Sequence, residues 1–165
     1  MYNELTPQDI AIMQQEMDHL RLEVLPDAIE EGKRTRAFGD LSENYEYKAA
    51  KQAQNACKKR IRYLERMIKS ATVIEDAAGE DEVGLFDRVE LYMEDDEEVE
   101  TVQVVTTVRC DPRQGRISKE SPMGKVLLGK HVGDRFLVEA TPTYSYYVQV
   151  RAITKGQDDG SAPIL

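Results

Sequence analysis

The chain of 165 residues has no tryptophan, only two cysteines, two histidines and three phenylalanines. Cys57 and Cys110 have no histidine or second cysteine at a metal-ligand spacing, so zinc and iron–sulfur motifs are excluded and a reducing compartment is expected. No stretch approaches the ~20 apolar residues of a membrane span, and the start Met1-Tyr2-Asn3-Glu4-Leu5 has neither a basic nor an apolar run. The expectation is a cytoplasmic protein, neither exported nor inserted. Basic residues are also short: Lys and Arg total 22 against 31 Asp and Glu, a net charge of -9. Broad binding to duplex DNA or an anionic membrane depends on cations that release counterions, so any nucleic-acid contact here must be local. With aromatics at 7% and charged residues at 32%, the composition suits solvated helix surface better than one large core.

What is present falls into two periodicities. Thr6-Pro7-Gln8-Asp9 is a helix start, with Thr6 able to cap, Pro7 at a first helical position and Asp9 matched to the macrodipole. Ile10, Met13, Met17, Leu20 and Val24 then recur in steps of three and four, a narrow seam that needs a partner. Pro26 should kink or restart this helix, which continues through 27–38. After Phe38-Gly39-Asp40, a second helix over about 41–70 carries a matching seam of Tyr47, Ala50, Gln54, Cys57, Ile61, Leu64 and Ile68. Two such helices, ~30 residues each at ~1.5 Å per residue, predict an antiparallel arm roughly 45 Å long.

From residue 83 the period becomes two. Val89, Leu91 and Met93 alternate with polar neighbours, an acidic turn covers 94–97, and a β-branched run follows over 99–108. A short helix over 122–128 capped by Ser121 and strands at 135–140 and 144–153 complete the pattern. The expected class is α+β: residues 1–76 as a helical coiled-coil hairpin, 77–82 as an acidic linker, 83–154 as an antiparallel β domain with a short helix, and 155–165 as a flexible tail.

Asp40 and Glu43 have the spacing of a capping box on the second helix, and Glu46 lies one turn on. The same carboxylates can instead hold a hard cation such as Mg²⁺, with water, phosphate or a partner completing its six oxygens. Lys48, Lys51, Lys58 and Arg62 gather near one helical face, while Lys59 lies nearer the other side; a solvated face and a phosphate-binding strip both fit. His19, His131 and Cys57 carry no evident chemistry.

Gly39-Asp40-Leu41-Ser42-Glu43-Asn44-Tyr45-Glu46-Tyr47 resembles the tip motif of the Gre transcript cleavage factors of bacterial RNA polymerase. The descending Arg60-Ile61-Arg62-Tyr63-Leu64 and the block over 117–130, followed by Val132-Gly133-Asp134, resemble the same family. The resemblance implies a C-terminal domain similar to FK506-binding proteins that docks on the polymerase rim through Ser121, Pro122, Met123, Gly129, Gly133 and Asp134. It implies a hairpin that enters the secondary channel, where Asp40 and Glu43, supported by Glu46, share a second Mg²⁺ with the polymerase's acids. The outcome the resemblance implies is hydrolysis of backtracked RNA near its 3′ end, catalysed by the polymerase and not by this chain alone. Lys48, Lys51, Lys58 and Arg62 would guide the extruded RNA, and the free protein would be a monomer without bound metal.

The chain leaves the family pattern at the apolar Phe38, in the glycine-free 141–147 and in its long tail. Three alternatives stay open: a channel-binding regulator without efficient cleavage, a peptidyl-prolyl isomerase, and a coiled-coil tether. The scarcity of aromatics for a proline pocket argues against the isomerase.

Overall fold

The structure is a computed structural model that describes residues 2–39 and 44–165. The chain divides into two compact units, Ile10–Ala71 and the pair of segments Met1–Asp9 and Thr72–Leu165. The expected boundaries at 76 and 83 therefore move: residues 1–9 and 72–82 belong with the β unit.

The helical unit is built from α1 (Pro7–His19), a π-helical turn (Leu20–Val24), α2 (Leu25–Arg36) and α3 (Tyr45–Ser70). The partners of the first run descend as those of α3 ascend: Thr35 with Asn44, Ala28 with Gln54, Leu20 with Cys57, and Glu16 with Arg60. That order is an antiparallel hairpin. Pro26 cannot donate a backbone hydrogen bond, and its ring crowds the carbonyl four residues back. The helix meets this with the π-turn, in which the Leu25 N–H donates to the Leu20 carbonyl. One extra residue in the turn shifts the seam. Val24, expected inside, is 36% exposed, and the inward line passes from the half-buried Leu20 to the half-buried Leu25 and on to the buried Gly32 and Thr35. On α3 the seam falls where the spacing places it, with Ala50, Gln54, Cys57, Ile61 and Leu64 all buried.

Gln54, the polar member of that seam, donates from Nε2 to the Ala28 carbonyl at 3.1 Å. Gly32 makes room for it: a Cβ at Gly32 would sit 2.7 Å from Gln54 Nε2. Arg60 forks onto Glu16 at 2.7 and 3.1 Å, and Arg21 reaches Glu65. Leu64 is fully buried, so Leu64→Ala should cost about 3 kcal/mol, read as a lower urea midpoint with an unchanged slope.

In the other unit, β1 (Glu4–Leu5) pairs in parallel with β2 (Thr72–Val73). β3 (Arg88–Met93), β4 (Glu98–Val105), β5 (Arg116–Ser118), α4 (Pro122–Leu127), β6 (Arg135–Thr141) and β7 (Tyr144–Thr154) follow. The five-stranded sheet has the order β5-β4-β3-β7-β6. It is mixed and not wholly antiparallel, because β5 runs parallel to β4. Inward residues at period two, among them Val89, Leu91, Val104, Val138 and Val148, form the core with Leu127 of α4.

The tail is not loose. Arg109 is fully buried; its Nη1 and Nη2 donate to Asp158, both at 2.7 Å, Nη1 also to Asp9 at 3.0 Å, and Nε to the Ala162 carbonyl at 2.6 Å. Burial acts most strongly on this guanidinium and pulls its pKa down, but the hydrogen bonds to Asp158 and Asp9 outweigh it and leave the value above that of an ordinary arginine. Asp9 also forms a reciprocal cap with Thr6 and accepts from the Thr106 hydroxyl at 2.7 Å. The expected linker is a turn held by Lys155, whose Nζ donates to the carbonyls of Gly79 and Glu82 and to Asp87.

Candidate functional site

The hairpin end is organised around the Thr35 carbonyl, which accepts from the Phe38 N–H at 3.1 Å and from Asn44 Nδ2. Asn44 is also the N-cap of α3: its Oδ1 accepts from the Tyr47 N–H at 3.0 Å. One side chain thus starts α3 and ties it to the last turn of α2. The capping role expected of Asp40 for this helix is filled by Asn44, and helix α3 begins at Tyr45 instead of near 41. Asp40 and Glu43 themselves lie outside the described residues.

Glu46 is exposed in the first turn of α3. Its charge reaches Arg34, whose pKa is raised mainly by a hydrogen bond to Glu31, with Glu46 a smaller contributor. Two exposed aromatic rings flank this end, each with a cation over it: Arg34 lies 5.2 Å from the Phe38 centroid and Lys48 5.4 Å from that of Tyr45. Tyr47 is half-buried.

Lys48, Lys51, Lys58 and Arg62 are all exposed on α3. At 3.6 residues per turn they span roughly 80° of arc, so they share one face. Lys51, Lys58 and Arg62 make no ion pair among the described residues. Arg60, next in sequence, is committed to Glu16 and stacks over Tyr63. A contribution from α2 escaped the sequence reading: Lys33 and Arg36 line the same shallow groove as Lys51, beside Gly32 and Gln54. The clue was the cationic run Lys33, Arg34 and Arg36, which helical spacing alone does not align with a partner helix. Arg62 lines a second groove with Met17, Glu65, Arg66 and Lys69.

The residues expected to dock a partner all have work inside the β unit. Ser121 caps α4, accepting from the Gly124 N–H at 3.0 Å and donating to the Ser118 carbonyl at 2.6 Å. Pro122 occupies the first turn, and Met123 packs on the core. Gly129 and Gly133 turn with φ of 82° and 93°, and Asp134 accepts from the His131 N–H at 2.8 Å. Pro122, Gly129 and Gly133 are exposed. Gly124 is the tightest position, since a Cβ there would lie 2.1 Å from the Ser118 carbonyl oxygen. Gly124→Ala should therefore destabilise the β unit by about 2–3 kcal/mol as backbone shifts to relieve the clash, measured by thermal unfolding.

Among the described residues no group of three His, Cys, Asp or Glu side chains is placed to hold a metal ion, and no helix is long and apolar enough to cross a membrane. The architecture is that of an α+β protein with a long antiparallel helical hairpin and a cationic helix face. Residues 3–73 match the family model described as transcription elongation factor, N-terminal, and residues 78–155 the model for the GreA/GreB C-terminal domain. Transcription elongation factor GreA of Geobacillus kaustophilus is 40% identical over 142 residues, 86% of this chain and 89% of that protein. GreA of Lactococcus lactis subsp. cremoris is 39% identical over 131 residues, 79% of this chain and 84% of that protein. The chain belongs to the GreA/GreB family of transcription elongation factors. Among solved structures, GreA factor homolog 1 (Gfh1) of Thermus thermophilus is 31% identical and aligns over 92% of this chain and 98% of that one, with a TM-score of 0.40.

Proposed function

We propose that this elongation factor binds bacterial RNA polymerase in the cytoplasm, places its hairpin end in the secondary channel and stimulates hydrolysis of backtracked RNA near the 3′ end. The observation that carries this reading is the string from Gly39 to Tyr47, with both Asp40 and Glu43, at the turn of a hairpin that Asn44 pins on either side. With Asn44 capping α3, the acids at 40 and 43 are not needed for that cap.

Carboxylate oxygens suit Mg²⁺, and Asp40, Glu43 and Glu46 within seven residues of sequence form such a donor set, short of a closed site. A bound ion would supply Lewis-acid stabilisation and a more acidic water. The chain's own part is to present Asp40 and Glu43 to the ion and the water while Glu46 adds negative charge behind them. The cationic face of Lys48, Lys51, Lys58 and Arg62, extended by Lys33 and Arg36, holds the RNA phosphates. Docking falls to the surface around Ser121, Pro122, Met123, Gly129, Gly133 and Asp134.

Stalled, backtracked transcription complexes incubated with the protein and Mg²⁺ should release short 3′ RNA fragments well above the polymerase's own rate. Binding without added release identifies a channel-binding regulator instead, and failure to bind refutes both.

A further inference from the structure

The five-stranded sheet carries a polar row with no part in the proposed function. Residues directly opposite on neighbouring strands share a face. The register pairs Arg116 of β5 with Gln103 of β4, Gln103 with Arg88 of β3, and Arg88 with Thr154 of β7. Four adjacent strands thus set two guanidiniums, an amide and a hydroxyl side by side. All four residues line one cavity of about 210 Å³, whose remaining wall includes Gln157, Asp159 and Ser161 of the tail.

The row is electrostatically unfinished. Arg116 Nε is buried without a hydrogen-bond partner, alone in this among buried side-chain nitrogen and oxygen atoms of the described residues. Its Nη2 reaches Asp111 only at 3.4 Å. A buried donor left unmatched costs about 1–3 kcal/mol. Arg88 makes no ion pair among the described residues. Lys155, also in the wall, is occupied by Gly79, Glu82 and Asp87. The one carboxylate in the wall, Asp159, accepts from the Ser161 N–H at 2.9 Å.

We propose that this cavity binds a single phosphate group, free or carried by a nucleotide, between Arg116 and Arg88. A guanidinium fork matches phosphate oxygens in pairs, and the Thr154 hydroxyl and the second N–H of Gln103, whose first goes to the Phe86 carbonyl at 2.8 Å, supply neutral donors for the rest. Asp111 on Arg116 and Asp159 in the wall offset the two guanidinium charges, so the pocket suits a single phosphate held by hydrogen bonds and opposes a longer polyphosphate. The wall includes tail residues beyond the segment matched by the family model.

The test is calorimetric titration of the full chain, at constant ionic strength, with inorganic phosphate and separately with a nucleoside monophosphate. Saturable binding with a dissociation constant of about 1 mM or tighter is expected, together with a phosphate-dependent rise in Tm. Arg116→Gln and Arg88→Gln should each weaken binding at least ~10-fold, a loss of about 1.4 kcal/mol. Arg113→Gln, outside the cavity wall, should not. Equal affinities for the two probes assign the site to the free ion, and a preference of about tenfold for the nucleotide assigns it to a carried phosphate. If Arg116→Gln fails to fold, exposed Arg88 carries the test. Absence of saturable binding, or equal weakening by Arg113→Gln, overturns the proposal.

Discussion

Asp40→Asn and Glu43→Gln should each reduce stimulated RNA release from backtracked complexes by on the order of a hundredfold or more, the scale on which removal of one preorganised stabilising group acts in active sites. An amide is a poor ligand for a hard cation, so the loss arises at the ion and its water. Helicity should be unchanged by circular dichroism, because the described cap of α3 is Asn44. Polymerase binding should persist for the same reason. Raising Mg²⁺ should restore part of the activity of a weakened ion site and none of the activity of a broken helix. Parent rates from both variants across a Mg²⁺ titration would show that these carboxylates have no role in cleavage.

The second large effect belongs to Asp9→Ala. This substitution removes an acceptor from a fully buried guanidinium, from the Thr106 hydroxyl and from the Thr6 cap. Breaking a buried ion pair by deleting one partner typically costs about 3–5 kcal/mol, a large share of a total stability of roughly 5–15 kcal/mol. Asp9→Asn should recover the capping part, about 1 kcal/mol, and leave the charge deficit. Asp158→Ala should cost less, because Asp158 retains 12% side-chain exposure and water can replace it. Denaturant midpoints for the three variants give the order. A loss below 1 kcal/mol for Asp9→Ala would mean that Asp158 alone satisfies Arg109.

The helices were legible because Met13, Met17, Ala50, Cys57, Ile61 and Leu64 repeat at three and four, and burial obeys that spacing. Val24 failed because a π-turn leaves no mark on composition; Pro26 announced a disturbance without its form. The strands at β3, β4, β6 and β7 were legible from alternation, but three-residue β5 is too short to alternate and its parallel pairing is set by tertiary contacts. Asp158 read as loose tail because its partner Arg109 is 49 residues away in sequence, and no local pattern reports such a pair. At the site, the motif around Asp40 is plain in the sequence, whereas the cap of α3 falls on Asn44, four residues beyond the capping spacing at Asp40. Lys33 and Arg36 were passed over because they join Lys51 only across the hairpin.

The π-turn at Leu20–Val24 is a phase device. A helix advances about 100° per residue, so one inserted residue turns everything beyond it by that angle. Gly32 and Thr35 point inward, and Lys33 and Arg36 reach the groove with Lys51, only in the shifted phase. Removing one residue from this turn would leave α1 in register while swinging α2 away from its partner, so the hairpin's far half, reaching about three turns of helix further on, answers to a single residue.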